Sequence, residues 1–213
     1  FGNLPWRSVF TDPQLQSLIA TALEHNYDLL NAALNVQAAE AQLKSARLAF
    51  LPSFAFSPQG TISSWDGNEA VKTYSLPVSA SWTIDLFGSL LSAKRSSQMA
   101  LLGMKDYQLA ARTKLIANVA NLYYTLLMLD KELAKDTWET MQLQKEYGRV
   151  RSTGVQSAES NYYSVQAQKV GLKRQLREAE NALSLLLGQS AGIIARGTFD
   201  NQNLPANFST GIS

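Results

Sequence analysis

The residue types that most often carry catalysis or bind metals are scarce in this chain. It has no cysteine and a single histidine, His25. The absence of cysteine excludes disulfides, thiolate metal sites and cysteine nucleophiles. One histidine leaves little room for a nucleophilic triad or a histidine-rich metal cluster. We therefore expect no enzyme activity, no catalytic residue, no cofactor and no metal site.

Paired carboxylates could act as a general acid and a general base, and the chain offers two close pairs. They are Glu24 with Asp28, and Glu178 with Glu180. Charged residues at such spacings on a helix usually form a solvated face, and we interpret both pairs in this way. The same interpretation is favoured for a basic stripe formed by Lys169, Lys173 and Arg177.

Composition limits the remaining classes of function. The 213 residues include 19 basic and 17 acidic side chains, and this balance does not indicate a nucleic-acid surface. No apolar run approaches the ~20 residues of a membrane-spanning helix. The first residues, FGNLPW, do not resemble a signal peptide, as would also be true of a mature or trimmed chain. Any contact with a membrane must then be made by strands.

The most informative pattern lies in Tyr74–Gly88, where apolar and small polar residues alternate. Side chains on a strand point to opposite faces in turn, so the segment predicts a strand with two different faces. One face carries Leu76, Val78, Ala80, Trp82, Ile84 and Leu86. The other carries Ser75, Pro77, Ser79, Ser81, Thr83 and Asp85.

This alternation is longer than the ~5–6 residues of a typical globular strand. It suits the ~9–11 residues with which a tilted strand crosses a bilayer. In a membrane barrel the hydroxyl face would border a water-filled lumen and the apolar face would contact lipid. The predicted lumen-facing residues are Ser75, Ser79, Ser81 and Thr83, and the lipid-facing ones are Leu76, Val78, Trp82 and Ile84. A long strand of a soluble sheet, with one face on a core, would show the same pattern.

Helices surround this strand on both sides. We predict a helix over 12–50, a β-hairpin over 53–86 with its turn at Trp65–Asn68, and helices over 89–150 and 155–187. The first strand is less regular because Pro58 and Gly60 interrupt it. A helix of ~60 residues would be about 90 Å long. It carries a heptad seam, which predicts coiling against a neighbouring helix. The seam consists of Leu115, Leu122, Leu129, Leu143 and Val150, with Val119, Leu126, Leu133 and Tyr147 four residues later.

The fold class is therefore mainly α with a β-hairpin. Two tyrosine pairs, Tyr123-Tyr124 and Tyr162-Tyr163, are interpreted as packing between helices. Thr153, Gly154 and Val155 form a tight reversal between the last two helices.

Several motifs in this order resemble one known family, the outer membrane efflux proteins, which are TolC-like ducts of Gram-negative bacteria. The first predicted helix closes with Ala46-Arg47 and Leu51-Pro52. The hairpin runs into the next helix through SWTIDLFG, residues 81–88. The last helix ends with ENALS and LLG, and Arg196-Gly197 follows.

The resemblance implies that residues 1–204 form the first helix–hairpin–helix–helix repeat and that 205–213 form a linker to a second repeat. In the family, three protomers close a twelve-stranded barrel in the outer membrane, and coiled helices extend it across the periplasm as an α-barrel. The implied function is a passive duct for export of small molecules. The implied partners are two further copies of the chain, outer-membrane lipid, a periplasmic adaptor and an inner-membrane pump, with no nucleic acid. The adaptor would dock at the reversal formed by Thr153, Gly154 and Val155.

Three departures from the family pattern limit what is carried over. The second repeat is absent, so no gate residue is assigned. The turn after Arg151 is shorter than in relatives, which weakens the assignment of the tip. The acylated N-terminal cysteine of lipoprotein members is missing, as trimming would also cause. The alternative function is a soluble periplasmic coiled-coil adaptor or scaffold, with the hairpin as a small capping sheet.

Overall fold

A computed structural model describes residues 6–64, 69, 71–147 and 155–202 of the chain. Their elements in chain order are α1 (Trp6–Val9), α2 (Pro13–His25), α3 (Tyr27–Leu48), β1 (Ser53–Phe56), β2 (Gln59–Ser63), β3 (Val71–Ser75), β4 (Val78–Ser81), α4 (Ser89–Tyr147), α5 (Val155–Leu186) and a short 3₁₀ turn (Phe199–Asn201). They form two compact units: Phe1–Asn31 with Leu109–Ser213, and Ala32–Gln108. The predicted linker, 205–213, and the turn Trp65–Asn68 lie outside the described residues. The division into repeat and linker stays a prediction.

The first unit is built on three helices, α2, α5 and the second part of α4. Apolar residues three and four apart on each helix face inward, which is the pattern of a helix with one buried stripe. Its fully buried side chains include Leu15, Ile19, Val119, Tyr123, Leu126, Leu127, Leu183 and Leu187. Four leucines and valines of the predicted heptad seam, Leu115, Val119, Leu126 and Leu129, are all buried.

The helix predicted over 12–50 is two helices, and this prediction was wrong at Asn26. Asn26 adopts an extended backbone, with ψ of 124°, between α2 and α3. Its side-chain oxygen accepts a hydrogen bond from Leu29 N–H at 3.0 Å, as an N-cap does, and its amide nitrogen donates to the Leu186 oxygen at 3.0 Å. The break is therefore held by bonds to both helix α3 and the end of α5.

Helix α5 ends at a glycine whose backbone few other residues could adopt. Gly188 has φ of 66°, and Gln189 N–H bonds to the Ser184 oxygen while Gly188 N–H bonds to the Leu185 oxygen. This pair of bonds is a Schellman motif, which satisfies carbonyl groups at a helix end. The chain then turns back, and Ile194 joins the core of the first unit.

The second unit contains most of α3, the hairpin and the beginning of α4. Two contacts bring the helices side by side and antiparallel. Glu40 of α3 pairs with Lys105 of α4 at 3.3 Å, and the Lys94 ammonium lies 6.0 Å from the centre of the Phe50 ring. Ala32, Val36 and Leu43 supply buried apolar residues on α3. No helix in the described part of the chain has both the length and the apolar character to cross a membrane.

The hairpin is present, but its second strand is shorter than predicted. Strand β4 ends at Ser81, whereas the alternation predicted a strand up to Leu86. Asp85 instead accepts a hydrogen bond from Leu91 N–H at 2.9 Å, near the beginning of α4, and Leu86 N–H bonds to the Ile84 oxygen in a tight turn. Residues 82–88 are thus a junction that positions the hairpin on the helix.

Candidate functional site

The hairpin consists of two antiparallel ladders that keep a single register. In the first ladder Ser53 is opposite Ser81 and Phe56 is opposite Val78. In the second ladder Gln59 is opposite Ser75. The pairs Ser57-Pro58 and Leu76-Pro77 lie between the ladders, where proline has no N–H to donate. Ser57 N–H still bonds to the Pro77 oxygen at 3.2 Å, so the strands stay together across the interruption.

This register places polar and apolar residues of both strands on opposite faces, because directly opposed residues share a face. The polar face carries the pairs Ser53/Ser81, Ala55/Ser79, Gln59/Ser75, Thr61/Thr73 and Ser63/Val71, in which Ala55 and Val71 are the apolar members. The apolar pairs are Phe54/Ala80, Phe56/Val78 and Gly60/Tyr74, followed by Ile62/Lys72. Every residue of the four strands is exposed, so neither face is covered by the part of the chain that the structure describes.

The structure brings three of the four predicted lumen-facing residues, Ser75, Ser79 and Ser81, onto the polar face. Thr83 lies beyond the end of β4. Which face borders water and which contacts lipid stays a prediction.

The four predicted lipid-facing residues are all exposed, but they are not all in the ladder. Val78 belongs to β4, Leu76 lies between β3 and β4, and Trp82 and Ile84 follow β4.

The apolar face also includes residues of the first strand that the sequence did not predict as lipid-facing. Phe54, Phe56 and Ile62 supply much of the apolar face, and each is more than half exposed. The alternation in Ser53–Ser57 could have revealed Phe54 and Phe56. Gly60 also has a role, since a Cβ there would lie 3.3 Å from the Tyr74 ring. Glycine therefore leaves room for the aromatic side chain opposite it.

Trp82 anchors the junction between the hairpin and the helices. Its indole N–H donates to the Phe50 backbone oxygen at 3.1 Å, while 63% of the residue stays exposed. Indole combines an apolar body with one hydrogen-bond donor, which suits the boundary between an apolar and a polar environment.

The first unit holds an ion network that the sequence did not predict. Arg196 donates to both oxygens of Asp130 and, at 2.7 Å, to Glu180. Arg177 donates to the second oxygen of Glu180 at 3.0 Å. The Glu180 side chain is 2% exposed and that of Arg196 is 12% exposed. The bond to Asp130 and the pairing with Glu180 hold the pKa of Arg196 above its ordinary value despite burial.

The interpretation of Glu180 as part of a solvated face was therefore wrong. Its partner Arg196 comes from the segment that turns back after α5, so helix periodicity could not reveal the contact. Glu178 does lie on the surface, where it pairs with Arg174 at 3.0 Å. The tyrosine pairs also differ, because Tyr123 is fully buried whereas Tyr163 is 60% exposed.

A second polar network joins α2, α4 and the C-terminal segment. Tyr123 donates to Asp12 at 2.5 Å and accepts from Gly197 N–H at 3.2 Å, and Gln202 donates to Asp12 at 2.8 Å. Burial would raise the pKa of Asp12, but these bonds and one from Gln14 N–H hold that pKa below its ordinary value. Burial and the bond to Asp12 raise the pKa of Tyr123 to about 12.

The predicted adaptor contact cannot be placed. Thr153 and Gly154 lie outside the described residues, and Val155 is described only as the first residue of α5. Within the described part of the chain no group of acidic or histidine residues could hold a metal ion. His25 lies on the surface, 3.9 Å from Glu24.

Comparison with known proteins gives a consistent result. The family model described as "Outer membrane efflux protein" matches residues 18–189. The cation efflux system protein CusC of Escherichia coli O157:H7 is 28% identical over 100% of this chain and 50% of its own length. The probable efflux pump outer membrane protein SepC of Pseudomonas putida is 31% identical over 87% of this chain and 42% of its own length.

A solved structure of the MtrE outer membrane channel of Neisseria gonorrhoeae, in its open state, is 27% identical and superposes with a TM-score of 0.79. That likeness covers 95% of this chain and 49% of the channel. The chain thus spans about half the length of the relatives it matches.

Proposed function

The chain belongs to the outer membrane efflux protein family, and on that premise we propose that it forms part of a passive export duct. The hairpin would lie in the outer membrane and the helices would extend into the periplasm. The observation that carries the proposal is the hairpin register, which separates a hydroxyl-rich face from an apolar face over both ladders.

The two faces suit two different surroundings. A membrane barrel presents apolar side chains to lipid and polar ones to its lumen. Serine and threonine hydroxyls on the polar face can hydrogen-bond to water without filling the space beside it. Selectivity would be low, because this face carries no charged side chain within the ladders.

The assembly needs more strands than one hairpin supplies. An isolated two-stranded hairpin is at best marginally stable, and its edges carry unpaired backbone groups that lipid cannot satisfy. Further copies of the chain would pair with these edges, and we propose a homotrimer. A periplasmic adaptor would join the duct to an inner-membrane pump that supplies the energy, so the chain would have no enzymatic role.

A soluble adaptor or scaffold remains the competing function. In that case the hairpin would cap its own helices, and its apolar face would be covered. The exposure of Phe54, Phe56 and Val78 within the chain favours the duct.

Two neighbouring substitutions test the proposal by introducing the same charged side chain on opposite faces. Val78→Arg places a cation on the apolar face, and Ser79→Arg places one on the polar face. At mid-bilayer the first should cost about 2–4 kcal/mol and reduce insertion into bilayers. The second should insert, and its channels should favour anions more than the wild type in planar-bilayer recordings.

The opposite pattern would invert the faces, with Ser79→Arg failing to insert and Val78→Arg changing ion selectivity. A wild-type protein that stays soluble and monodisperse without detergent, and that forms no channels, would favour the adaptor instead.

A further inference from the structure

Basic side chains dominate the surface where the hairpin meets the helices. Within Ala41–Ser64 and Val71–Met104 the only acidic residue in the sequence is Asp85. The same stretches contain five cations, Lys44, Arg47, Lys72, Lys94 and Arg95. Asp85 accepts a hydrogen bond from Leu91 N–H, and one carboxylate against five cations leaves an excess of four positive charges in these stretches. We refer to Lys44, Arg47, Lys94 and Arg95 as the basic collar.

The members of the basic collar come from α3 and the beginning of α4, and Phe50 follows the end of α3. Lys94 lies over the Phe50 ring, and the Phe50 backbone oxygen accepts the Trp82 indole N–H. Arg47 is one helical turn before Phe50. In the described part of the chain, none of the four collar residues forms an ion pair with a carboxylate.

The helix dipoles account for only part of this arrangement. Arg47 lies in the last turn of α3, where the negative end of the dipole favours a cation. Lys94 and Arg95 lie close to the beginning of α4, whose first turn contains no acidic residue. The positive end of a helix favours anions, but Asp85 already accepts Leu91 N–H there, so an external anion would be attracted mainly by the Lys94 and Arg95 side chains.

Large exposed apolar side chains precede Lys94 and Arg95 in the chain. Phe87 is 98% exposed and Leu86 is 79% exposed, both in the junction before α4. A ligand that suits this surface must combine an anionic group with an apolar tail. Clusters of lysine and arginine next to a membrane segment, with aromatic residues at the same level, are typical of contact with anionic lipid.

We propose that the basic collar binds the phosphate groups of anionic phospholipids at the bilayer interface, while Leu86 and Phe87 contact their acyl chains. The proposal rests on the proposed function, because it requires the hairpin to lie in a membrane. The consequence is that the junction would lie at a fixed depth in the bilayer. The basic collar would stay at the level of the phosphate groups, and Leu86 and Phe87 would lie among the acyl chains.

The test compares two spin-labelled lipids, phosphatidylglycerol and phosphatidylcholine, around the full-length protein in phosphatidylcholine bilayers. Electron paramagnetic resonance gives the fraction of each lipid that the protein immobilises. The wild type should retain phosphatidylglycerol more strongly than phosphatidylcholine, and added salt should weaken this preference. Lys94→Gln combined with Arg95→Gln should lower it by roughly fivefold for each charge removed.

Two further variants separate the collar from net charge. Lys169→Gln combined with Lys173→Gln removes the same charge from α5, in the other unit, and should leave the preference unchanged. Arg47→Gln, on α3, should also reduce the preference for phosphatidylglycerol when Lys94 and Arg95 are unchanged.

Each other outcome would overturn the proposal. The basic collar has no specific role if the wild type shows no preference for phosphatidylglycerol. The same follows if the α5 variant loses as much of that preference as the collar variant. In either case the proposed function still stands. A protein that does not enter bilayers of either lipid would overturn the proposed function together with this inference.

Discussion

A Cβ atom at Gly188 would lie 2.5 Å from the backbone oxygen of His25. The end of α5 is thus in close contact with the break between α2 and α3. Backbone atoms cannot move away as a flexible side chain can, and the φ of 66° at Gly188 also disfavours any residue with a Cβ.

We expect Gly188→Ala to destabilise the first unit by about 2 kcal/mol or more. The cost of a left-handed backbone at alanine adds to the cost of the clash with the His25 oxygen. Thermal unfolding of the detergent-solubilised protein would measure it. Gly192→Ala is the matched control, since the nearest atom to its new Cβ would be 3.8 Å away. Equal melting temperatures for the two variants would contradict the prediction.

Removal of the Arg196 guanidinium should be among the most damaging single changes in the first unit. Arg196→Gln leaves Glu180 buried with only Arg177 beside it, and loss of one partner of a buried ion pair costs about 3–5 kcal/mol. The exposed pair Arg174–Glu178 provides a control, since Arg174→Gln should cost less than about 1 kcal/mol.

A double-mutant cycle would identify the cause. Arg196→Gln together with Glu180→Gln should cost less than the sum of the single variants, because no buried charge is then left unpaired. Strictly additive costs would show that the two side chains act separately.

We expect the first unit to lose stability at alkaline pH because of Tyr123. Its folded pKa is raised, so its contribution is complete below pH about 10 and is lost as pH rises towards about 12. Tyr123→Phe should remove that alkaline loss and should cost about 1–3 kcal/mol at neutral pH, since the bond to Asp12 is lost. Unfolding measured against pH would show both effects. Tyr163→Phe, at an exposed tyrosine, should change neither.

Asn26 should be more important than an ordinary asparagine on a helix surface. Asn26→Ala removes the N-cap of α3 and the bond to the Leu186 oxygen, and we expect a cost of about 1–2 kcal/mol. Asn31→Ala, at an exposed position inside α3, should be neutral or slightly stabilising because alanine favours helix. Denaturant unfolding of both variants tests the difference, and a neutral Asn26→Ala would contradict the assigned role.

The sequence predicted the features that depend on local periodicity. Alternation identified the strand around Val78, and the heptad pattern identified the buried seam that includes Val119 and Leu126. These patterns depend only on which face of one element is apolar. The fold class follows from them and agrees with the solved channels.

The features that the sequence did not reveal depend on contacts between distant residues. The apolar stripe continues on both sides of Asn26, so periodicity alone indicated one helix. The burial of Glu180 requires Arg196 to fold back onto α5. Strand β4 ends at Ser81 because its partner β1 begins opposite it at Ser53, although the alternation of residue types continues beyond Ser81.

The shared register of the two ladders restricts how the hairpin can change in length. One extra residue between Phe56 and Gln59 would turn every side chain beyond it to the opposite surface. Ile62 would then lie on the polar face and Thr61 on the apolar face. A single-codon insertion in one strand would therefore be more harmful than most substitutions there. Lengthening would be tolerated at the tip, or as two residues added to each strand together.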